Sequence, residues 1–297
     1  MNQTDFDYTK LSDFMICQRR GYFAHVRDWQ PEVPSAAIVF GACWHRAMES
    51  IYKNPKDKAS EMIERAGTAF VSEWRLYGLD EESWHPRSVS RGLELLEAYV
   101  EHYREEIERT IVLAVERPFQ VLLEEEGPTY HGRLDAVVRL PQTEGIYVLE
   151  HKTASSISGS WREQFSPNVQ IDGYCHAARS LWGPDVRGVL VNGVAVLKTK
   201  VEFSRVPVMR QLEQLEAWRW EVLDYINLIE WEYHRFLEFQ REEGTAEFMR
   251  AFPKNTTACT HYGGCRYLDI CKAYPNPEVL REPPEGFVVR PWDYTAS

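Results

Sequence analysis

The chain has 297 residues, 44% hydrophobic and 27% charged, a balance that excludes wholesale disorder and allows one large core or a core with an appended lobe. Its 34 basic and 45 acidic residues leave a net charge of −11, which argues against a protein that coats nucleic acid nonspecifically. An enzyme with a local basic track and a negative metal pocket stays open, because net charge averages the two.

The opening MNQTDFDYTKLSDF lacks the basic-then-apolar order of a signal peptide, and no apolar run anywhere approaches the roughly 18 residues of a membrane span. Both features predict a cytoplasmic protein with no membrane partner, whose six cysteines are thiols or metal ligands rather than disulfides. TKLSDFMICQRRGYF (9–23) predicts a short helix with Ser12 as N-cap and Cys17 midway. PEVPSA breaks the chain, and helical periodicity resumes over 36–54, which carries His45, and over 58–76 and 88–110.

The period then changes from helical to alternating. TIVLAVERPFQVLLEEEG (110–127), YHGRLDAVVRL (130–140) and IYVLEHKT (146–153) are separated by the turn signals EEGP and PQTEG, which predicts an antiparallel meander. A helix follows over 160–181, then a strand over 186–197 with which TKVEFSRVPV pairs. The stretch 209–239 contains neither Gly nor Pro and predicts one long amphipathic helix. The tail holds three cysteines among Gly, Asn and Pro, and both periods vanish there. The expected organisation is a helical part over 1–110, a core over 111–206, a long-helix segment over 207–250 and a cysteine lobe over 251–297 that forms one unit with 1–30.

YVLEHKTASS sets Glu150 two residues before Lys152, on one face of a strand. Asp135, in GRLD, sits on the preceding strand, and neighbouring strands lie about 5 Å apart. If the meander pairs, Asp135 faces Glu150 across that gap, where two carboxylates repel unless a cation lies between them. Oxygen ligands suit Mg²⁺ or Mn²⁺, and Lys152 beside the ion could help activate water or neutralise charge on a phosphate. A plain Glu150–Lys152 salt bridge is the alternative on these residues alone. Gln170 and Tyr174 in QIDGY lie four apart, so they share a helical face and offer hydrogen bonds to phosphate or to a carboxylate.

GRLD followed by VLEHKT resembles the second and third motifs of the PD-(D/E)XK nuclease superfamily, in particular its RecB-type and CRISPR-associated exonuclease branch. GACWHRAMES (41–50) is similar to the helical motif of that branch, VERPF (115–119) sets Glu116 where the family often has an acid, and QIDGY matches its Q-x-x-x-Y helix. The resemblance implies a restriction-endonuclease-like α/β fold, a mixed central sheet flanked by helices, with a helical N-terminal part and a cysteine-ligated iron–sulfur lobe. It further implies that His45, Asp135, Glu150 and the backbone carbonyl of His151 hold Mg²⁺ or Mn²⁺. Lys152 is then the catalytic lysine, Gln170 and Tyr174 support catalysis, and Glu116 is an accessory acid. The activity implied is an exonuclease acting on DNA, alone or with a recombination, phage or CRISPR-adaptation protein. A catalytically inactive DNA-binding module on the same fold is the alternative.

Cys259, Cys265 and Cys271 form C-x5-C-x5-C, and Cys17 lies in a distant basic and aromatic stretch. The resemblance extends to the iron–sulfur members of that branch, which implies that these four hold a 4Fe–4S cluster. Their spacing departs from the commoner pattern, and zinc is the alternative, although paired C-x2–4-C knuckles are absent. Cys43 and Cys175 read as small buried hydrophobes. Arg19, Arg20 and Arg27 form one basic stretch, and Lys198, Lys200, Arg205 and Arg210 another; both are candidate contacts for a phosphate backbone, as are Arg266 and Lys272.

Overall fold

The structure is a computed structural model that describes residues 5–78, 84–141, 143–243, 247–260 and 264–293. Gln142, inside one expected turn, lies outside the described residues. In chain order the elements are β1 (Asp5–Asp7), α1 (Tyr8–Ile16), α2 (Gln18–Gly21), β2 (Trp29–Pro31), α3 (Ala36–Lys53), α4 (Ala59–Arg75) and α5 (Val89–Arg109). They continue as β3 (Ile111–Leu122), β4 (Thr129–Arg139), β5 (Ile146–Ala154), α6 (Gly159–Glu163), α7 (Val169–Trp182), β6 (Val186–Ala195) and β7 (Phe203–Met209). The chain ends with α8 (Leu212–Glu243), α9 (Leu268–Ala273) and β8 (Phe287–Val289). It divides into two compact units, one built from 34–119 and 133–215, the other from the chain up to 33, 120–132 and the chain from 216 onward.

The first unit is α/β with a mixed sheet. β3 pairs with β4, β4 with β5 antiparallel, β5 with β6 parallel, and β6 with β7 antiparallel. The parallel step needs a crossover, which α7 supplies while packing on β5 and β6. Alternation along the strands sorts their side chains. Ala136, Val138, Leu149 and Leu190 face the core made with α3, α4 and α5, where Phe40, Trp44, Phe70 and Tyr99 are fully buried. Glu150 and Lys152 alternate with Leu149 and point to the opposite face, where Lys152 meets Gln170 on α7. Gly193 on β6 is required by its surroundings, since a Cβ there would lie 2.1 Å from the ring of Trp161.

The expected helix over 160–181 is two helices. Pro167 lacks the N–H that a continuous helix needs, and Asn168 starts α7 afresh by accepting from the N–H groups of Gln170 (3.0 Å) and Ile171 (3.2 Å). The long helix begins at Leu212 rather than at 209, because β7 extends through Met209.

In the second unit, β1 pairs in parallel with the first residues of β4, and β2 pairs antiparallel with β8. The expected helix over 9–23 is interrupted. Asp7, not Ser12, caps α1 by accepting from the Lys10 N–H at 2.7 Å, because the pairing of Asp5–Asp7 fixes where the helix can begin. Cys17 has extended backbone (φ −165°, ψ 119°), ends α1 and precedes α2, which leads into a π-helical turn over Tyr22–Val26. Regular structure is sparse in the cysteine tail, and aromatic packing supplies the core: Phe14, Tyr22, Phe23, Trp29, Phe252 and Tyr267 are all buried. Burying each of these aromatics contributes about 1.5–3 kcal/mol. Among the described residues no helix is long and apolar enough to cross a membrane.

Candidate active site

The β4–β5 register pairs Ala136 with Leu149, and one further step sets Asp135 opposite Glu150. The ladder stops there. Beyond it the Asp135 carboxylate itself ties the strands, its Oδ2 accepting from the His151 N–H at 2.7 Å. Its Oδ1 lies 3.1 Å from His45 Nδ1 on α3. One stripe of α3, from Val39 and Phe40 to Ile51 and Tyr52, is apolar and buried, and His45 sits at its edge with its side chain about one-third exposed (32%).

Glu116 joins from β3 through an unusual backbone. Its φ is +47°, the left-handed region in which a side chain other than glycine costs about 1–3 kcal/mol. That conformation brings its carboxylate within 4.8 Å of ligand atoms of both His45 and Asp135, the one group of three or more such residues among those described. Arg133, two residues before Asp135 on β4, pairs with Glu116 at 3.1 Å.

Glu150 and Lys152 begin a second chain of contacts. Lys152 Nζ lies 2.6 Å from Glu150 Oε1 and donates to Gln170 Oε1 at 2.8 Å. Gln170 in turn donates through Nε2 to the Tyr174 hydroxyl at 3.0 Å, which turns its Oε1 toward the lysine. Glu150 is only 2% exposed, and its second oxygen, Oε2, is buried with no hydrogen-bond partner. A buried carboxylate oxygen left unpaired is costly, and a cation is what would relieve it.

The electrostatics agree. Burial and the nearby Asp135 charge raise Glu150 to about 7, against the opposing pull of Lys152 and His45. Burial and Asp135 likewise raise Glu116 to about 7, with Arg133 and His45 opposing. Burial by itself would raise Asp135 too, but the His45 charge and hydrogen bond and the His151 N–H hold it well below the carboxylate range. For His45, burial lowers the pKa and the charge and hydrogen bond of Asp135 more than reverse that, to about 9. The ring of His151 is driven down to about 3 by burial, so it is neutral. His45, Glu116 and Asp135, two carboxylates and one imidazole whose ligand atoms lie within 4.8 Å of one another, form a donor set that fits a hard divalent cation such as Mg²⁺ or Mn²⁺, and Glu150 with its unpaired oxygen lies outside that group.

The structure thus brings His45, Glu116 and Asp135 together, and links Glu150, Lys152, Gln170 and Tyr174. Arg133 and a buried group around Asn192 escaped the sequence reading. The signal for Asn192 was present: one amide inside the apolar run VLVNGVAVL must find partners once buried.

In the second unit, Cys17 Sγ accepts from the Asn255 N–H at 3.2 Å, and the carbonyl of the same Asn255 accepts from Cys259 Sγ at 3.8 Å. The Cys265 N–H donates to the Cys259 carbonyl at 2.9 Å. Burial pushes the Cys271 thiol up to about 11, and Cys17 and Cys265 are near enough to add to the rise. The fold therefore gathers the distant Cys17 with the three C-terminal cysteines. All six cysteines are free thiols; these four are partly exposed, whereas Cys43 and Cys175 are fully buried. Of the basic candidates, Lys198 and Lys200 are exposed, and Arg20 is paired with Asp13 at 2.6 Å. Arg19 is corrected: it is 3% exposed and donates to the carbonyls of Met249, Ala251 and Phe252, which leaves it no surface from which to meet a phosphate.

A mixed sheet that sets Asp135 opposite Glu150, with Lys152 two residues beyond, is the α/β arrangement that the sequence resemblance implies. The profile of the PD-(D/E)XK nuclease superfamily matches residues 6–272, nearly the whole chain, and the protein belongs to that superfamily. Among solved structures, the chain is similar to one from Eubacterium rectale described as a "Putative exonuclease", with a TM-score of 0.50 and 12% identity over 77% of this chain and 83% of that one. The structure of SSO0001 matches at 12% identity over 73% of this chain and 84% of that one, with a TM-score of 0.28. None of the curated proteins compared with the chain matches it.

Proposed function

We propose that the protein is a Mg²⁺- or Mn²⁺-dependent deoxyribonuclease that degrades DNA exonucleolytically from ends or single strands. The observation that carries this reading is the buried, partnerless Oε2 of Glu150 on the strand facing Asp135. Asp135, Glu150, His45 and the His151 carbonyl would hold the cation, with Glu116 as an accessory acid. When bound, such an ion supplies Lewis-acid charge that favours deprotonation of water and offsets negative charge on a scissile phosphate. Lys152, fixed between Glu150 and Gln170, keeps an ammonium at the strand end where an attacking water or a phosphate oxygen would lie. Tyr174 holds Gln170 in the orientation that keeps the lysine there. Arg20, Lys198 and Lys200 are the proposed backbone contacts. A DNA substrate assigns the protein to the cell interior, in end processing for recombination, repair, phage replication or CRISPR adaptation.

Cys17, Cys259, Cys265 and Cys271 would hold a 4Fe–4S cluster. What supports a shared metal group is that Cys17 and the three C-terminal cysteines are free thiols brought to one region, and zinc is the alternative. Freshly purified protein should be brown; colourless protein that contains zinc would overturn the cluster assignment.

The test of the activity is end-labelled DNA incubated with Mn²⁺, with and without chelator, beside Lys152→Ala. The wild-type protein should shorten the label and the variant should lose at least about 100-fold in rate, the scale on which removal of a transition-state charge donor acts. Equal degradation by the variant rejects the assignment. DNA binding without cleavage under any divalent ion would instead mark a non-catalytic scaffold.

A further inference from the structure

His151 occupies an unusual position in this site. On a strand, the N–H and C=O of one residue point to the same edge. The His151 N–H points to the β4 edge, where it meets Asp135, so its carbonyl points there too. The β4–β5 ladder has already ended at Leu149. The parallel ladder to β6 therefore uses the backbone groups of Glu150 and Lys152 and leaves those of His151 outside both ladders, with the Asp135 carboxylate accepting from its N–H.

The imidazole of His151 enters the buried face of the sheet, 5.4 Å from the ring of Tyr52 and 6.3 Å from that of His45. Its cross-strand partner on β6 is Asn192, itself 2% exposed. Asn192 Nδ2 donates to His151 Nδ1 at 3.0 Å and to the Tyr99 hydroxyl at 2.7 Å, which uses both amide hydrogens. Asn192 Oδ1 accepts from Arg205 Nε at 3.2 Å, so the amide cannot turn over without placing two donors face to face. Arg205 is fixed in its turn by an ion pair with Glu106 and by stacking 3.9 Å over the ring of Tyr103. Tyr99 is held by the Tyr52 hydroxyl at 2.8 Å. Every member of this chain has one orientation, and the chain ends on the His151 ring.

We propose that Asn192 is a positioning residue of the metal site: by locking the His151 ring, it fixes the main-chain N–H that holds Asp135 and the carbonyl beside it. The inference rests on the proposed function, since a cation must bind there for the position to matter. Outer partners of this kind set metal affinity by about 10- to 100-fold. A merely structural Asn192 would change the unfolding temperature and leave cation affinity alone.

The experiment is Mn²⁺ titration of the full chain without DNA, by calorimetry, for the wild-type protein and Asn192→Ala. Nitrogen NMR of the His151 ring accompanies it. The wild type should show His151 as the tautomer protonated at Nε2, because Nδ1 accepts from Asn192. In the variant that signature should broaden or shift, and Kd for Mn²⁺ should rise at least about tenfold. If Asn192→Ala does not fold, Asn192→Thr replaces it, since its β-branched side chain suits a strand and is too short to reach both Tyr99 and His151. A folded variant with unchanged Kd overturns the inference while the nuclease reading stands. A wild-type protein that binds no Mn²⁺ overturns both.

Discussion

The sharpest consequence of the site's electrostatics is a steep dependence of cation affinity on pH. Asp135 is ionised throughout the working range, but Glu150 and Glu116 titrate near 7 and His45 near 9. A cation needs ionised carboxylates and a neutral imidazole, so its binding must expel their protons. Between pH 6 and 8, Glu150 goes from about one-eleventh to about ten-elevenths ionised, a tenfold gain. Over the same interval the neutral fraction of His45 grows about ninetyfold. Their product is on the order of 10³ in Kd, and Glu116 adds up to about tenfold more if it ligates. Water reaches one-third of the His45 side chain and screens its pair with Asp135, so these figures are upper bounds. An exposed site of unperturbed carboxylates with a histidine near 6.5 would change by only about fourfold. Calorimetric Mn²⁺ titrations from pH 6 to 8, in buffers of different ionisation enthalpy, give both Kd and the number of protons released. At pH 6 Glu150→Gln should remove about one proton from that count, and at pH 8 almost none. A change in Kd below tenfold, with no proton release, refutes the reasoning.

Three further outcomes follow from the same structure. In chelator, the folded pKa of His45 (about 9) lies above its ordinary value of 6.5, so its pairing with Asp135 contributes stability that is full below pH 6.5 and lost as pH rises through 9. The Tm of chelated protein should therefore fall between pH 7 and 9, and saturating Mn²⁺ should abolish the fall; a flat Tm in chelator contradicts the His45–Asp135 pair. Cys17→Ser should bleach the protein and lower its Tm, because a cluster that joins the two chain ends restrains the unfolded chain; a brown, equally stable variant removes Cys17 from the ligand set. Arg19→Ala should cost about 3 kcal/mol in denaturant unfolding, since three buried carbonyls lose a charged donor, while DNA affinity stays the same. A stable variant with weakened DNA binding would restore Arg19 to the surface candidates.

The parts of this site that were legible in the sequence are those set by short-range geometry. Period two put Glu150 and Lys152 on one face, and the meander's short turns fixed the register that sets Asp135 opposite Glu150. The four-residue spacing of Gln170 and Tyr174 likewise became a direct hydrogen bond. His45 needed more, since nothing local separates it from a core histidine; only the resemblance of its helix to a known motif singled it out. Glu116 shows where local reading stops. Its reach toward Asp135 depends on a left-handed φ that no glycine announces. Arg19 and Arg20 make the same point from the other side. Adjacent and chemically identical, they part company because one meets carbonyls more than 200 positions away and the other meets Asp13. Asn192 is the most instructive case: its burial could be read from the run around it, but not its partners. Those depend on a parallel register set by the crossover through α7, and on Arg205 arriving from the next strand. A sequence therefore exposes candidate site residues that must share a face more readily than those around them that need only meet after folding.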